Sequence, residues 1–582
     1  MKQFQFNYHS KASLKKELSK IKQWCQLHIT SKTIFHIFSN SIDEDLISEI
    51  CDTIVKEIPN SLYMGCSTNG NILYGVLSST DISIVCTICE FPSTQAEVLQ
   101  YQLTNETIVP VVDDLLEKIQ ERPWVKSIDM LVTIRGMSMT PFCEALQQIP
   151  EGIEIFGGGA FNSDMNDDRS CVFTSSGKYS NNGVAFLLLG GDDYHVTTTH
   201  VTGWKPLGRI FHVTRAEGST LYELDNRPAY HIYQKYLNIK NNEHFFENTL
   251  EFPFFYEHGG INLLRAPVSS NPDGSIIMTA DMEEDVVAHL AYGDPLTILQ
   301  SVYSVGSEIG EFQPEAVRIY SCAARRTFWG VKEISKETAP FQTVAPTSGF
   351  YTSGEFLRTN GYMNQHNVTL VVAAAREGSL DPQKENHFHS SDEDFNGKVS
   401  LISRLATFIE ASTRELEQAN EQLAFVAVSD GLTKLFNRAE IQRRIKEQLI
   451  SGKSLSLVML DIDNFKHVND TFGHKEGDNV IIGLSDLLRN GIAKYCPKAS
   501  AGRWGGEEFM LLLPYDLTLA EGAASHILED FSAIAFPEAG HQTVSIGVTT
   551  VIEGENLDTL LVRVDKALYE AKRTGKNRFV VL

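Results

Sequence analysis

No apolar run in the chain approaches the ~18–20 residues that a membrane-spanning helix needs. Stretches such as Leu187-Leu188-Leu189 and Val368 to Ala375 have the length of buried strands. The first residues, Met1-Lys2-Gln3-Phe4-Gln5-Phe6, are mixed and lead into no secretory apolar segment, so the expected address is the cytoplasm. Basic charge is scarce, with 50 Lys and Arg against 74 Asp and Glu and a formal net charge of −24. That balance argues against general binding to nucleic acid or anionic membranes, so an anionic substrate must be met by a few placed cations. Lys466, Lys572 and Lys576 are available for this. Cysteine is sparse too. Nine residues, an odd number scattered from Cys25 to Cys496, suggest no disulfide framework. Cys86-Thr87-Ile88-Cys89 spells CxxC, yet it lies in the alternating apolar stretch Ile82 to Ile88 and reads as strand packing rather than a metal or redox pair. No repeat of fixed period is visible.

What is present is globular. At 582 residues, 42% hydrophobic and 21% charged, the chain should hold three or four domain-sized units, each able to bury a core. Residues from about 30 to 375 read as one large α/β region. Short apolar strands (Ile34–Phe38, Leu131–Ile134, Val184–Leu189, Ile276–Met278) alternate there with helical and glycine-rich stretches. Residues 377–398 are rich in Asp, Glu, Ser, His and Asn and read as a solvated linker. Over 399–428, Ile402, Leu405, Ile409, Ser412, Leu416, Ala419, Leu423 and Val426 recur at alternating spacings of three and four, an a/d seam. The competing reading is an amphipathic helix packed on its own domain. A parallel two-chain coiled coil fits better, because the segment has few other apolar surfaces and joins two domains. Ser412 and Ala419 at core positions make the coil weak, which suits a helix that must shift.

Residues 429–582 read as a terminal domain of β-α-β-β-α-β order, the ferredoxin-like arrangement. Its expected strands are Leu455–Ile462, Ala499–Trp504, Glu508–Leu513 and Val544–Val551, with Phe579–Leu582 as an edge. Its expected helices are Glu476–Asn490, Leu519–Phe531 and Leu557–Thr574. Gly505-Gly506 permit a tight hairpin that carries Glu507 and Glu508, and the strand ending at Asp461-Ile462-Asp463 brings further carboxylates. A lone acidic pair at a strand end is usually a solvated turn. Acids on two neighbouring strand ends offer the hard oxygen ligands that Mg²⁺ or Mn²⁺ needs beside phosphates, and they point to nucleotidyl transfer.

Five motifs in order make this domain resemble a GGDEF diguanylate cyclase from roughly residue 425 to the end. They are Asp430-Gly431-Leu432-Thr433 to Arg438, Asp461-Ile462-Asp463-Asn464-Phe465-Lys466 to Asp470, Phe472-Gly473-His474 to Asp478, Gly505 to Phe509, and Tyr569-Glu570-Ala571-Lys572 to Arg578. The resemblance implies a palm-like domain that joins two GTP into cyclic di-GMP. It implies metal ligation by Asp461, the Ile462 carbonyl and Glu507, with Glu507 or Glu508 as general base. Phe465, Lys466, Gly505, Gly506, Lys572 and Lys576 would meet phosphates, Lys466 in a catalytic role, and Asn469 and Asp478 would read guanine. Lys572 and Lys576, four apart, share a helix face if the helix persists. Where many relatives carry an Arg-x-x-Asp product-inhibition site, this chain has Cys496 and Ala499, so feedback there is not expected.

The N-terminal region resembles the FIST sensory module. The matching stretches include Met64-Gly65-Cys66-Ser67, Phe156-Gly157-Gly158-Gly159-Ala160, Gly203-Trp204-Lys205-Pro206, Ser321-Cys322-Ala323-Ala324-Arg325 and Gly349 to Glu355. The resemblance implies a FIST N-like domain over 1–225, a FIST C-like domain over 226–376 and a small sensed ligand, amino acids among the candidates. Arg325 and Glu355 are the choices for ligand contacts. Gly65 and Gly157–Gly159 read either as anion-binding turns or as sharp turns at strand ends. The expectation is therefore an α/β and α+β multidomain protein. It has a large N-terminal α/β sensory region, a coiled-coil linker helix and a C-terminal ferredoxin-like domain, and it works as a homodimer through coil and catalytic domains. The alternative is a catalytically silent module that binds GTP only as a regulator or serves as a dimer platform.

Overall fold

The computed structural model describes residues 1–162, 169–177, 179–383, 388, 400–451 and 454–582. The chain forms two compact units, Met1–Thr413 and Arg414–Leu582. Most of the expected polar linker lies outside the described residues. Phe388, within it, is buried, with its ring centroid 5.7 Å from that of Tyr303 and 6.5 Å from that of Phe341. At that position the segment is therefore anchored rather than solvated.

The first unit is built on four sheets. One orders Lys2–Asn7, Ile82–Cys89, Lys32–Ser39, Leu62–Ser67 and Val172–Thr174. A second adds Glu355–Thr359 and Tyr362–His366 to Glu154–Ala160, Val125–Thr133, Gly183–Gly190 and Gln95–Gln102. A third sets Asn71–Leu73 beside Thr347–Thr352, followed by Ala316–Cys322, Leu370–Glu377 and Tyr194–Val201. The fourth pairs Trp204–Glu217 and Thr220–Leu224 with later strands such as Val287–Gly293 and Ile276–Met278. Three of the four sheets thus mix strands from 1–225 with strands from 226–376, and the two sequence segments share one core. A cluster that includes Ile34, Phe38, Leu131, Phe156, Tyr320, Phe350 and Val371 fills the space where the first three sheets meet.

A buried polar network ties the same three sheets together. Arg318 Nη2 donates to His36 Nδ1 at 2.8 Å, so His36 must carry its proton on Nε2, which donates to Asp129 Oδ2 at 3.2 Å. The Tyr320 hydroxyl donates to the other Asp129 oxygen. Burial first, and then the Arg318 charge, push the His36 pKa down to about 4.

The glycine runs are not turns. Gly157, Gly158 and Gly159 lie inside a buried strand, and Gly65 lies inside Leu62–Ser67. A Cβ at Gly157 would stand 2.0 Å from the Met130 carbonyl oxygen, and one at Gly159 would stand 2.3 Å from that of Ser353. Close backbone approach is the requirement there, which replaces both turn readings. Cys86 and Cys89 are buried on the strand Ile82–Cys89, and neither forms a disulfide.

The helix Leu401–Val428 covers the expected seam. In the first unit, Ser403 Oγ donates at 3.2 Å to Asp294, which also N-caps the helix Pro295–Glu311, and Ala406 is buried. Farther along, Leu416, Leu423 and Val426 are 61%, 67% and 69% exposed, so this part of the apolar seam stands uncovered among the described residues. In the second unit the helix end is held by Asn437, whose Nδ2 donates to the Ala427 carbonyl and whose backbone N–H donates to that of Val428, both at 2.8 Å.

The second unit contains α1 (Arg438–Ile450), β1 (Ser456–Ile462), α2 (Phe465–Phe472), α3 (His474–Tyr495), β2 (Ser500–Arg503), β3 (Glu508–Leu513), α4 (Leu517–Ala533), β4 (Val544–Thr550), α5 (Leu557–Arg573) and β5 (Phe579–Val581). Its sheet runs β2-β3-β1-β4-β5, antiparallel except for β4 with β5. The first four strands have ferredoxin-like order, and β5 extends the edge. Asn437, Asp516 and Asn556 accept the N-terminal backbone N–H groups that start α1, α4 and α5. The short α2 escaped the sequence reading, because polar residues in Phe465-Lys466-His467-Val468-Asn469-Asp470 interrupt its apolar spacing.

Candidate active site

Strand alternation decides which side of the sheet the acids occupy. On β1, Val458, Leu460 and Ile462 enter the core cluster shared with α3 and α4, while Leu457 and Met459 pack with α1 and α5. Asp461, the next residue in the second set, therefore lies on the α5 side. Glu508 is its direct partner on β3, two residues before Met510, which packs with α5. On α5, Leu560, Val564 and Leu568 form a buried stripe at intervals of four, and Lys572 continues it. At the strand ends this stripe meets the acids, and Lys572 Nζ lies 2.6 Å from Asp461 Oδ2.

The electrostatics are those of a cation site. Like charges placed directly across a ladder repel, and Asp461 faces Glu508 in that way, with Glu507 one residue away. Burial raises the Asp461 pKa; Lys572 draws it down, Glu507 and Glu508 push it up again, and the net shift is upward. Asp461 is a buried carboxyl that disfavours its own ionisation, an oxygen donor a hard divalent ion would stabilise. Among the described residues no group of three or more His, Cys, Asp or Glu side chains stands ready to hold a metal, so the protein side chains alone supply only part of such a site.

The glycine hairpin is fixed by its neighbours. Trp504 and Gly505 N–H groups donate to the Glu508 carbonyl at 2.8 and 3.2 Å, and the Ile462 N–H reaches the Glu507 carbonyl at 3.4 Å. Arg503 braces the tip through its guanidinium, with Nη2 donating to the Gly506 carbonyl at 2.7 Å and Nε to that of Gly505 at 3.1 Å. Its Nη1 reaches Asp430 at 3.3 Å. Asp430 in turn accepts from the Thr433 N–H and hydroxyl at 2.9 and 2.8 Å.

After β1 the chain turns through Asn464 in the left-handed region, φ 57°, and starts α2. Phe465 is buried in the core, so only its backbone is offered at the helix start, and Lys466 is exposed beside it. Lys576 Nζ bonds Asn464 Oδ1 at 2.6 Å. Lys572 and Lys576 do not share a helix face. α5 stops at Arg573, and Gly575, Lys576 and Asn577 all take positive φ. The turn nevertheless delivers Lys576 to the loop after β1.

Asn469 on α2 and Asp478 on α3 are brought together at the junction of the two helices. A Cβ on Gly477 would stand 2.0 Å from Asn469 Oδ1, so the residue before Asp478 must be glycine for the amide to lie there. Asn469 is half-buried and Asp478 is exposed.

Asp463 has a different part. It is buried, and it accepts from Ser545 Oγ at 2.7 Å, Thr543 Oγ1 at 2.7 Å and the Asn577 N–H at 3.0 Å. It clamps β1, the approach to β4 and the turn after α5. Sequence reasoning missed this clamp, as it missed Arg503 and Asp430. The Asp-x-x-Thr spacing at Asp430 was a readable turn signal; the tertiary partners were not.

The site has the organisation of a known family. Residues 427–578 match the family described as diguanylate cyclase, GGDEF domain. The chain carries a GGDEF domain. Upstream, residues 34–227 match the FIST N domain and 229–358 the FIST C domain. The GGDEF part is similar to diguanylate cyclase VdcA of Vibrio cholerae serotype O1, 36% identical over 188 residues, which is 30% of this chain and 53% of that protein. It is also similar to diguanylate cyclase DgcM of Escherichia coli K12, 37% identical over 171 residues, 28% of this chain and 40% of that protein. The chain thus spans about half or less of the length of these curated relatives. Among solved structures, the coiled coil and GGDEF domain of DgcB from Caulobacter crescentus in complex with c-di-GMP matches at 30% identity, with a TM-score of 0.29, over 32% of this chain and 100% of that one.

The sensory candidates behave differently from the GGDEF residues. Arg325 is fully buried and its donors are taken within the protein. Nη2 meets Glu337 at 2.8 Å, Nη1 meets the Thr202 and Val368 carbonyls at 2.8 Å each, and the guanidinium lies over Trp204. Glu355 is also fully buried and accepts from Thr352 Oγ1. Burial raises its pKa to about 8 and pushes the neighbouring Cys322 thiol up as well. These are core polar groups, and the internal pairing of Arg325 removes the reason for choosing it as a ligand contact. Among the described residues no helix is long and apolar enough to cross a membrane.

Proposed function

We propose that the protein is a ligand-regulated diguanylate cyclase that condenses two GTP into cyclic di-GMP with release of two pyrophosphates. The observation that carries this reading is the opposition of Asp461 and Glu508 on one sheet face, with Lys572 at their end. Asp461, the Ile462 carbonyl and Glu507 would hold the metal. When bound there, Mg²⁺ or Mn²⁺ supplies positive charge to the phosphates and acidifies the attacking hydroxyl. Lys466, Lys572, Lys576 and the backbone of Phe465, Gly505 and Gly506 bind phosphate oxygens. Glu507 or Glu508 takes the proton of the 3′-hydroxyl as its oxygen forms a bond to the α-phosphorus of the other nucleotide and pyrophosphate departs. Asp478 accepts from guanine N1–H and N2–H₂ while Asn469 meets an acceptor edge, which selects GTP over ATP.

Each domain holds one GTP, so two must face each other, and the homodimer forms through the helix Leu401–Val428 and the GGDEF domains. The N-terminal region senses a small ligand, and the proposed address is the cytoplasm. Cys496 and Ala499 close a turn through an Ala499 N–H to Cys496 carbonyl bond of 2.8 Å and offer no charge for product feedback. The test is incubation of the purified protein with GTP and Mg²⁺, with the nucleotides resolved by chromatography. Wild type should form cyclic di-GMP, and Glu507→Gln should lose at least about 100-fold in rate. Full turnover by Glu507→Gln would overturn the assignment.

A further inference from the structure

A cavity of 310 Å³ in the first unit, apart from Arg325 and Glu355, carries the features of a built ligand site. Its walls include the helix Thr140–Leu146, the hairpin of Phe254–His258 with Ile261–Arg265, the strand Tyr362–His366 and the loop residues Asp281 to Glu283. Arg265, 5% exposed, is held rigidly. Its Nε donates to the Asp281 carbonyl at 2.8 Å and its Nη1 to that of Leu264 at 3.0 Å, and the guanidinium lies 5.7 Å from the centre of the Tyr256 ring. Asn364, 6% exposed, lines the same cavity, and its Nδ2 has no hydrogen-bond partner among the described residues. A buried amide donor left unpaired is destabilising, and a ligand acceptor would remove that cost.

Among apolar neighbours such as Leu263 and Met363, other lining residues are acidic. Asp281, Glu283 and Glu144 bring three carboxylates. Asp281 is oriented through Oδ2, which accepts from Ser138 Oγ and Thr140 Oγ1 at 2.6 Å each. Glu283 pairs with His258 at 2.6 Å. Donors and carboxylates thus line one small cavity, and a molecule that satisfies both has a cationic amine and an oxygen acceptor close together.

Resting on the sensor reading above, we propose that this cavity is the sensory site. Its ligand is a small dipolar molecule whose carboxylate takes the Arg265 and Asn364 donors and whose ammonium takes the acidic residues. The size suits a metabolite at the lower end of the usual pocket range.

Full-length protein should be titrated with a panel of α-amino acids, and with alkylamines and carboxylic acids of matched chain length, by calorimetry and thermal melting. At least one α-amino acid should bind and raise the melting midpoint. The singly charged analogues should bind at least about tenfold more weakly. Asn364→Asp and Glu283→Gln should each weaken the dipolar ligand about tenfold or more, with the fold checked by the ligand-free midpoint. Binding that persists unchanged in both variants would place the ligand elsewhere and overturn this site while sparing the sensor reading. Singly charged analogues as tight as the dipolar ligand would overturn the ligand class, and no binding by any member of the panel would overturn the proposal outright. Cyclic di-GMP formation from GTP, followed in the same preparation, reports on the catalytic reading separately.

Discussion

At the residue scale, a single glycine controls the pair proposed to read guanine. Gly477 has its α-carbon against Asn469, and an added methyl would displace that amide and stand 3.2 Å from the Phe465 ring. Gly477→Ala should therefore raise KM for GTP by about tenfold, the loss of one to two hydrogen bonds, while the melting midpoint stays within a few degrees of wild type. Steady-state kinetics beside a thermal melt separates this from a folding defect. The residues of the site divide by how they could be read. Asp461, Glu507, Glu508 and Lys572 were legible because motif and spacing name them. Asp463 was legible only as an acid, and its clamp on Ser545, Thr543 and Asn577 required partners about eighty and more than a hundred residues away.

At the scale of the element, the helix Leu401–Val428 shows both what periodicity reveals and what it leaves out. Its seam was visible as an a/d repeat, and Leu416, Leu423 and Val426 remain exposed in one chain. Leu416→Asp together with Leu423→Asp should abolish the dimer in analytical ultracentrifugation and lower cyclase activity at least about tenfold, since one domain cannot assemble two GTP. Fusion to an independent parallel coiled coil should restore the rate. Full activity in a proven monomer would sink the dimer reading. The anchor of this helix was invisible in sequence. Ser403 bonds Asp294, the residue that follows the strand Val287–Gly293, and that strand pairs with Phe254–His258 at the wall of the 310 Å³ cavity. The sequence marks the helix by its a/d seam; only the packing shows where its first turns are held.

For the molecule as a whole, the buried ionisable groups set how stability depends on pH. Glu355 holds its proton to about pH 8 in the folded state, whereas an unfolded glutamate releases it near 4.5. Folded protein binds the extra proton between those values, so this group's contribution to stability falls as pH rises through that window. His36 acts oppositely. Its folded pKa of about 4 lies below the ordinary 6.5, so its stability is intact above 6.5 and declines as pH falls toward 4. Melting midpoints of wild type should therefore drop between pH 6.5 and 8 more steeply than those of Glu355→Gln. Identical slopes would show that Glu355 is ionised in the native state.

The amino-acid sequence by itself determined the GGDEF domain, its strand order, its acids and lysines, and the amphipathic seam of the linking helix. Local periodicity and fixed motif spacing are properties of short stretches, and they survive without knowledge of what packs against them. Only the tertiary structure decided that 1–225 and 226–376 share sheets, that Gly157–Gly159 are buried for backbone approach, and that Arg325 is taken up by Glu337. It also decided that α5 ends before Lys576. Each of these depends on which distant backbone or side chain fills the adjoining space, and burial turns that choice into free energy.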